Sequence, residues 1–187
     1  TPTTLSGITL NFLMSLSGGL LAGYWVSKGD PFWTYSGGLA GIITASAGND
    51  LYHPIQAMII AGIGTYIAYK LHYWVERKFK IDDAVGAVAV HGYAGVVGLI
   101  ICGFVLWGYP SSGYDGLGYA AINPVGMIIG AFIMFVVLGF IPGYVIAKIL
   151  HAAGKLRIPR EVELAGLDYN IMEAASKDEK AVSSSSR

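Results

Sequence analysis

Four histidines stand in this chain, at positions 53, 72, 91 and 151, and their depths differ. His91 lies inside "DDAVGAVAVHGYAGVVGLIICGFVLWG", residues 82–108. After the two opening aspartates it is the one side chain there of a type that titrates near neutral pH; the Cys102 thiol does so only at higher pH. Eight residues separate it from Asp83, so on a helix it sits about 12 Å in, close to a bilayer midplane. An ionisable group at that depth is costly, and such groups mark substrate or proton paths. The plainer alternative is an imidazole bonded to a backbone carbonyl for packing alone. On a helix its face is shared by Ala84, Ala87, Val88, Ala94, Gly95, Gly98 and Cys102, nearly all small. Such a stripe receives a neighbouring helix or borders a narrow lumen. His53 falls in a turn, and His72 and His151 fall near helix ends, where a structural role suffices.

Asp82 and Asp83 could be read as a metal or proton-uptake pair. Their place at a helix start favours capping of free amides and the positive end of the helix dipole. Thr44, beside Gly41 and Gly48, is a candidate polar residue of a lumen; alone it would be an intrahelical hydrogen-bonder. No metal-ligand cluster, nucleophile–base pair or phosphate loop is present, so no catalytic residue, metal or cofactor is expected.

The elements that must position these residues are membrane helices. Of 187 residues 54% are hydrophobic and 13% charged, about half the charge of a soluble domain. Net charge is zero, which leaves no signature of a nucleic-acid partner. The single cysteine excludes an internal disulfide. The 26 glycines are scattered through apolar runs, as helix packing in lipid favours. Spans are expected over residues 5–27, 31–48, 54–75, 83–108 and 124–150, giving a five-helix region over 1–151. A cytoplasmic tail occupies 152–187, disordered toward "KDEKAVSSSSR". Glycine pairs at helical spacing (Gly19 and Gly23, Gly37 and Gly41, Gly126 and Gly130, Gly139 and Gly143) suit close contacts. Tyr24, Trp25, Phe32, Trp33, Tyr73, Trp74, Trp107 and Tyr109 gather near span ends and read as interface anchors.

Orientation follows the basic residues. Lys28 lies in the first turn, Arg77, Lys78 and Lys80 in the third, and Lys155, Arg157 and Arg160 in the tail; the second and fourth turns have none. The amino end is therefore expected outside and the tail in the cytoplasm. The opening "TPTTLSG" has no basic start and no initiator methionine, so the chain is expected to be processed or cut from something longer.

"SGGLAGIITASAG", then Pro54 and Ala57, "IDD", "VHGYAGVVG" and "LRIPREVELAGLD" occur in the order seen in the ammonium transporter family, with its Rhesus relatives, and the chain resembles that family over nearly its whole length. The resemblance runs from the seventh helix of an eleven-helix all-α membrane fold to its cytoplasmic tail. It implies a homotrimer in the plasma membrane with one pore per subunit. It also implies transport for nitrogen uptake, with ammonium recruited outside, deprotonated, and passed as ammonia along a hydrophobic path where two histidines share a hydrogen bond. His91 matches the second of these and would offer a polar foothold in an apolar path; uncharged, it would not repel ammonium. Thr44 matches a threonine close to the pore, and Asp82 and Asp83 match an acidic pair at the inner start of the tenth helix. Gly166, Leu167 and Asp168 match a tail motif that contacts neighbouring subunits.

The chain departs from the family pattern at Ala45, where many members have proline, and at Gly86, where a third acid is frequent. "IME" around Met172 and Glu173 replaces "HGE", which bears on tail contacts and on docking of a PII-type regulator. The family's first histidine, phenylalanine gate and outer cation site belong to six earlier helices, so this is the second of two inverted halves, with the lumen between them. A second reading is an ammonium sensor of the same fold. A third is a non-conducting structural subunit, for which a midplane imidazole has no use.

Overall fold

The computed structural model describes residues 4–110 and 121–166. The chain divides into two compact units, one through Leu138 and one from Gly139. All regular elements among the described residues are helical: α1 (Leu5–Ser27), α2 (Pro31–Ser46), α3 (Pro54–Phe79), a π-helical turn (Val88–Tyr93) leading into α4 (Ala94–Val105), α5 (Pro124–Phe132), a second π-helical stretch (Ile133–Phe140), α6 (Ile141–Ala152) and the short α7 (Arg160–Ala165).

Local chemistry sets the boundaries. Asp30 accepts a hydrogen bond from the Trp33 amide at 3.0 Å, with Pro31 in the first turn of α2. At the head of α3, His53 and Gln56 form a reciprocal capping box before Pro54, so His53 has a structural task. The Asn123 side chain accepts from the Gly126 amide at 2.7 Å and opens α5 with Pro124. Lys28 and Lys80 end α1 and α3 in the left-handed conformation, at φ 60° and 57°, and bring positive charge to the negative end of each dipole.

Among the described residues three helices are long and apolar enough to cross a membrane: Leu5–Ser27, Val88–Val105 and Pro124–Ala152. The α2 helix stops at Ser46 after 16 residues, short of the expected 48. The α3 helix runs on to Phe79 but carries Gln56, Tyr66, Tyr69 and Lys70 along its length. The fourth helix opens at Val88, not at Asp83, because Asp83 stands outside it and caps it.

Close backbone contact between glycines holds α1 on α2. A Cβ on Gly19 would overlap the Gly37 carbonyl, and one on Gly23 would overlap the Trp33 carbonyl. The pairs Gly19/Gly23 and Gly37/Gly41 thus meet face to face, whereas added Cβ atoms at Gly130 and Gly143 would touch nothing within 4 Å. The α3 helix joins through Thr65, whose Oγ1 donates to the Gly37 carbonyl at 3.0 Å in a buried site. At the other end, Asn11 donates from Nδ2 to the carbonyls of Asn49 and Tyr52, at 2.8 and 2.7 Å, tying α1 to the α2–α3 turn. Tyr52 in that turn is buried, and burial pushes its phenol well above the usual range, so it stays protonated.

Trp33 and Tyr73 correct the reading of aromatics as interface anchors. Trp33 is 1% exposed and donates Nε1–H to the Tyr73 hydroxyl at 2.9 Å. Trp25, Trp74 and Trp107 remain exposed.

Candidate functional site

His91 sits in the π-helical turn Val88–Tyr93, three residues before α4 begins. A π-turn admits one more residue than an α-turn and re-aims the helix beyond it; such turns recur at functional sites. Its start is held by Asp83, whose Oδ1 accepts from the Val88 amide at 3.2 Å and Oδ2 from the Ala89 amide at 2.9 Å. Gly86 turns the chain ahead of it at φ 66°, a conformation that a residue with a Cβ adopts only at a cost. Asp82, by contrast, is exposed.

The exposed side of His91 opens on a cavity of about 370 Å³, lined by Ile43, Ala47, Gly95, Leu99, Met134 and Phe135, with Ser46 at its wall. The Ser46 hydroxyl is engaged, donating to the Ile43 carbonyl at 2.7 Å. The imidazole is therefore the uncommitted polar group of an apolar cavity and makes no hydrogen bond within the described residues. Gly95 makes room for the Phe135 ring, which a Cβ there would meet at 2.7 Å. An arrangement of this kind can hold or pass a small polar molecule at one nitrogen, with aliphatic and aromatic walls around it.

The small-residue stripe divides. Gly95 joins His91 at the cavity, along with Leu99 from outside the stripe, while Ala94, Gly98 and Cys102 are buried against other helices. Gly98 lies so close to α2 that an added Cβ would overlap the Thr44 carbonyl. Thr44, expected beside the lumen, is left out of the cavity. It is fully buried, its Oγ1 donates to the Ala40 carbonyl at 2.8 Å, and its side chain fills the space over Gly64. Its hydroxyl is spent within its own helix.

His72 has no place in the sequence-derived site, yet it lies 3.6 Å from Asp83 (Nδ1 to Oδ2), in a pocket made by Trp33 and Tyr73. The spacing of His72 and Asp83 along the chain gives no hint of this contact, because α3 and a turn intervene. Of the tail motif, Gly166 follows α7, while Leu167 and Asp168 lie outside the described residues.

The Ammonium Transporter Family model matches residues 3–177. Ammonium transporter Amt1 of Methanocaldococcus jannaschii is 33% identical over 179 residues, which cover 94% of this chain and 43% of that protein. Ammonium transporter Amt2 of the same organism is 37% identical over 159 residues, covering 83% of this chain and 35% of its own. An Archaeoglobus fulgidus relative, ammonium transporter Amt2, is 30% identical over 77% of this chain and 32% of its own length. No solved structure matches. The chain therefore spans less than half the length of these relatives, and its apolar helices mark it as part of a multi-pass membrane protein. It belongs to the ammonium transporter family.

Proposed function

We propose that this chain is the carboxyl-terminal half of an ammonium transporter and supplies one wall of its pore, with His91 as the polar contact for ammonia. The observation that carries this reading is the cavity itself: an imidazole with no hydrogen-bond partner among the described residues, in a wall of mainly aliphatic and aromatic groups. Such a wall excludes hydrated ions, since nothing on it replaces their hydration, and it admits a small neutral molecule that needs a single hydrogen bond. The relatives of matching sequence are named ammonium transporters, which supports the substrate.

In this reading a second histidine, from the half of the fold not represented here, hydrogen-bonds His91. Asp83 caps the turn that presents it, and Thr44 is a packing wedge between α2, α3 and α4. All five helical regions cross the plasma membrane, with α2 the shortest, and three subunits assemble. Tail residues Gly166, Leu167 and Asp168 contact a neighbour, and a PII-type protein is a candidate regulator.

The test is methylammonium uptake into vesicles by the complete transporter bearing His91→Ala. Uptake should fall by more than tenfold while trimers persist on native gels, and aspartate or glutamate at position 91 should return conduction with altered selectivity. Unchanged uptake by His91→Ala would reduce this residue to packing.

A further inference from the structure

Away from the cavity, the last third of α3 and the segment ahead of the π-helical turn hold a second titratable pair. His72 and Asp83 are 10% and 13% exposed and approach to 3.6 Å between Nδ1 and Oδ2. The His72 Nδ1 atom is enclosed and has no hydrogen-bond partner. The ring itself is held: Trp33 from α2 meets it edge-on at 5.1 Å between centroids, and Tyr73 at 4.9 Å. A buried nitrogen without a partner is unusual, since each such atom forfeits its hydration. Closure by a few tenths of an ångström would give it a charge-assisted bond. The Asp83 carboxylate is the group within reach, and a carboxylate oxygen that already accepts one N–H can accept another.

That carboxylate is the cap of the turn that carries His91. Its oxygens receive the Val88 and Ala89 amides at 3.2 and 2.9 Å, the first two of the π-helical turn. A continuous line of contacts therefore runs from α3, through His72 and Asp83, to the backbone two residues before His91.

We propose that His72 is a positioning residue for His91: a proton on its Nδ1 clamps the Asp83 carboxylate and so fixes the start of the π-helical turn. The inference rests on the reading of His91 as the pore imidazole. The clamp needs only a hydrogen on Nδ1, which the Asp83 carboxylate can accept in this nearly dry site. Around the pair stand Tyr69, Tyr73 and Glu76 on α3, Asp82 beside Asp83, Arg77 and Lys80 in the pocket that Tyr73 shares with Asp82, and Tyr93 on the π-helical turn. Among the described residues no lysine or arginine lies within ion-pair distance of His72 or Asp83. The indole of Trp33 is committed to Tyr73 and does not compete.

The experiment uses the complete transporter, with His72→Phe (ring shape kept, donor removed), His72→Asn (a neutral donor in place of Nδ1) and Asp83→Asn. Amide hydrogen exchange is followed over residues 87–93, with α1 as control, alongside the rate of methylammonium uptake. His72→Phe should speed exchange at Val88 and Ala89 about tenfold and leave α1 unchanged. It should also lower uptake about threefold to tenfold. His72→Asn, which restores a donor, should recover most of the protection and of the uptake, and in an Asp83→Asn background His72→Phe should add nothing further. Equal exchange in wild type and His72→Phe would overturn the clamp. Faster exchange with unaltered uptake would overturn the link to His91. Absence of uptake by the wild type would count against the transport reading, and exchange would still decide the clamp.

Discussion

The Trp33 indole lies between α2 and α3 with 1% of its surface exposed, bonded to the Tyr73 hydroxyl and met edge-on by Phe32, Tyr69 and His72. Its ring fills the space behind the His72–Asp83 pair, so its loss should be felt there before it is felt at the cavity. Trp33→Phe removes one hydrogen bond and part of the ring, and should cost about 1–2 kcal/mol. Trp33→Ala should cost about 3–5 kcal/mol. Thermal unfolding of the complete protein in detergent measures both, and equal melting of Trp33→Ala and wild type would contradict the burial. The sequence placed this residue at a membrane interface because it read depth along the helix and had no measure of direction around it. The same limit applies to Thr44, whose side chain packs over Gly64 of α3 and whose hydroxyl bonds within α2. His91 stands out as a candidate in the sequence because an ionisable group in an apolar run does so whichever way it faces.

Between helices the decisive groups are glycines, and their spacing alone does not separate those that pack from those that do not. An added Cβ at Gly64 would overlap the Thr44 side chain and one at Gly98 the Thr44 carbonyl, while one at Gly130 would meet nothing within 4 Å. Gly98→Ala should therefore force α2 and α4 apart and destabilise by about 1–3 kcal/mol. It should also move His91, one turn or two away on the same helical run. Gly130→Ala should stay within about 0.5 kcal/mol of wild type. Melting temperatures of the two variants, compared side by side, check this; a larger effect at Gly130 than at Gly98 would contradict the packing. Helix starts were readable because proline and its capping partners are local: Asp30 with Pro31, His53 with Pro54, Asn123 with Pro124. The two π-helical stretches were not. The first begins at the amides that Asp83 caps from five and six residues ahead, and the second holds Phe135, which lines the His91 cavity from a distant part of the sequence.

At the scale of the whole molecule, the distribution of basic residues is the argument for the proposed orientation. On a Cys102→Ala background, a cysteine in place of Asp50 should react with an impermeant maleimide from outside intact cells, and one in place of Lys78 only after lysis; the reverse pattern would invert the topology and the proposed direction of uptake. Completeness is the second question. Phe104, Phe132 and Met134 are more than half exposed, and the exposed His91 lines an open cavity. In lipid, apolar exposure alone drives little association, so these faces need a close-fitting partner or must lie against acyl chains. A polar group at His91 adds a reason for a partner, since facing hydrocarbon would leave the imidazole unpaired. The 187-residue chain expressed alone should thus insert but assemble poorly and carry no methylammonium into vesicles. Co-expression of a chain supplying the first half of the fold should recover trimers and uptake together, and His91→Ala in that pair should remove uptake while sparing the trimers. Robust uptake by the 187-residue chain alone would require a pore built between identical copies, with His91 facing its own symmetry mate.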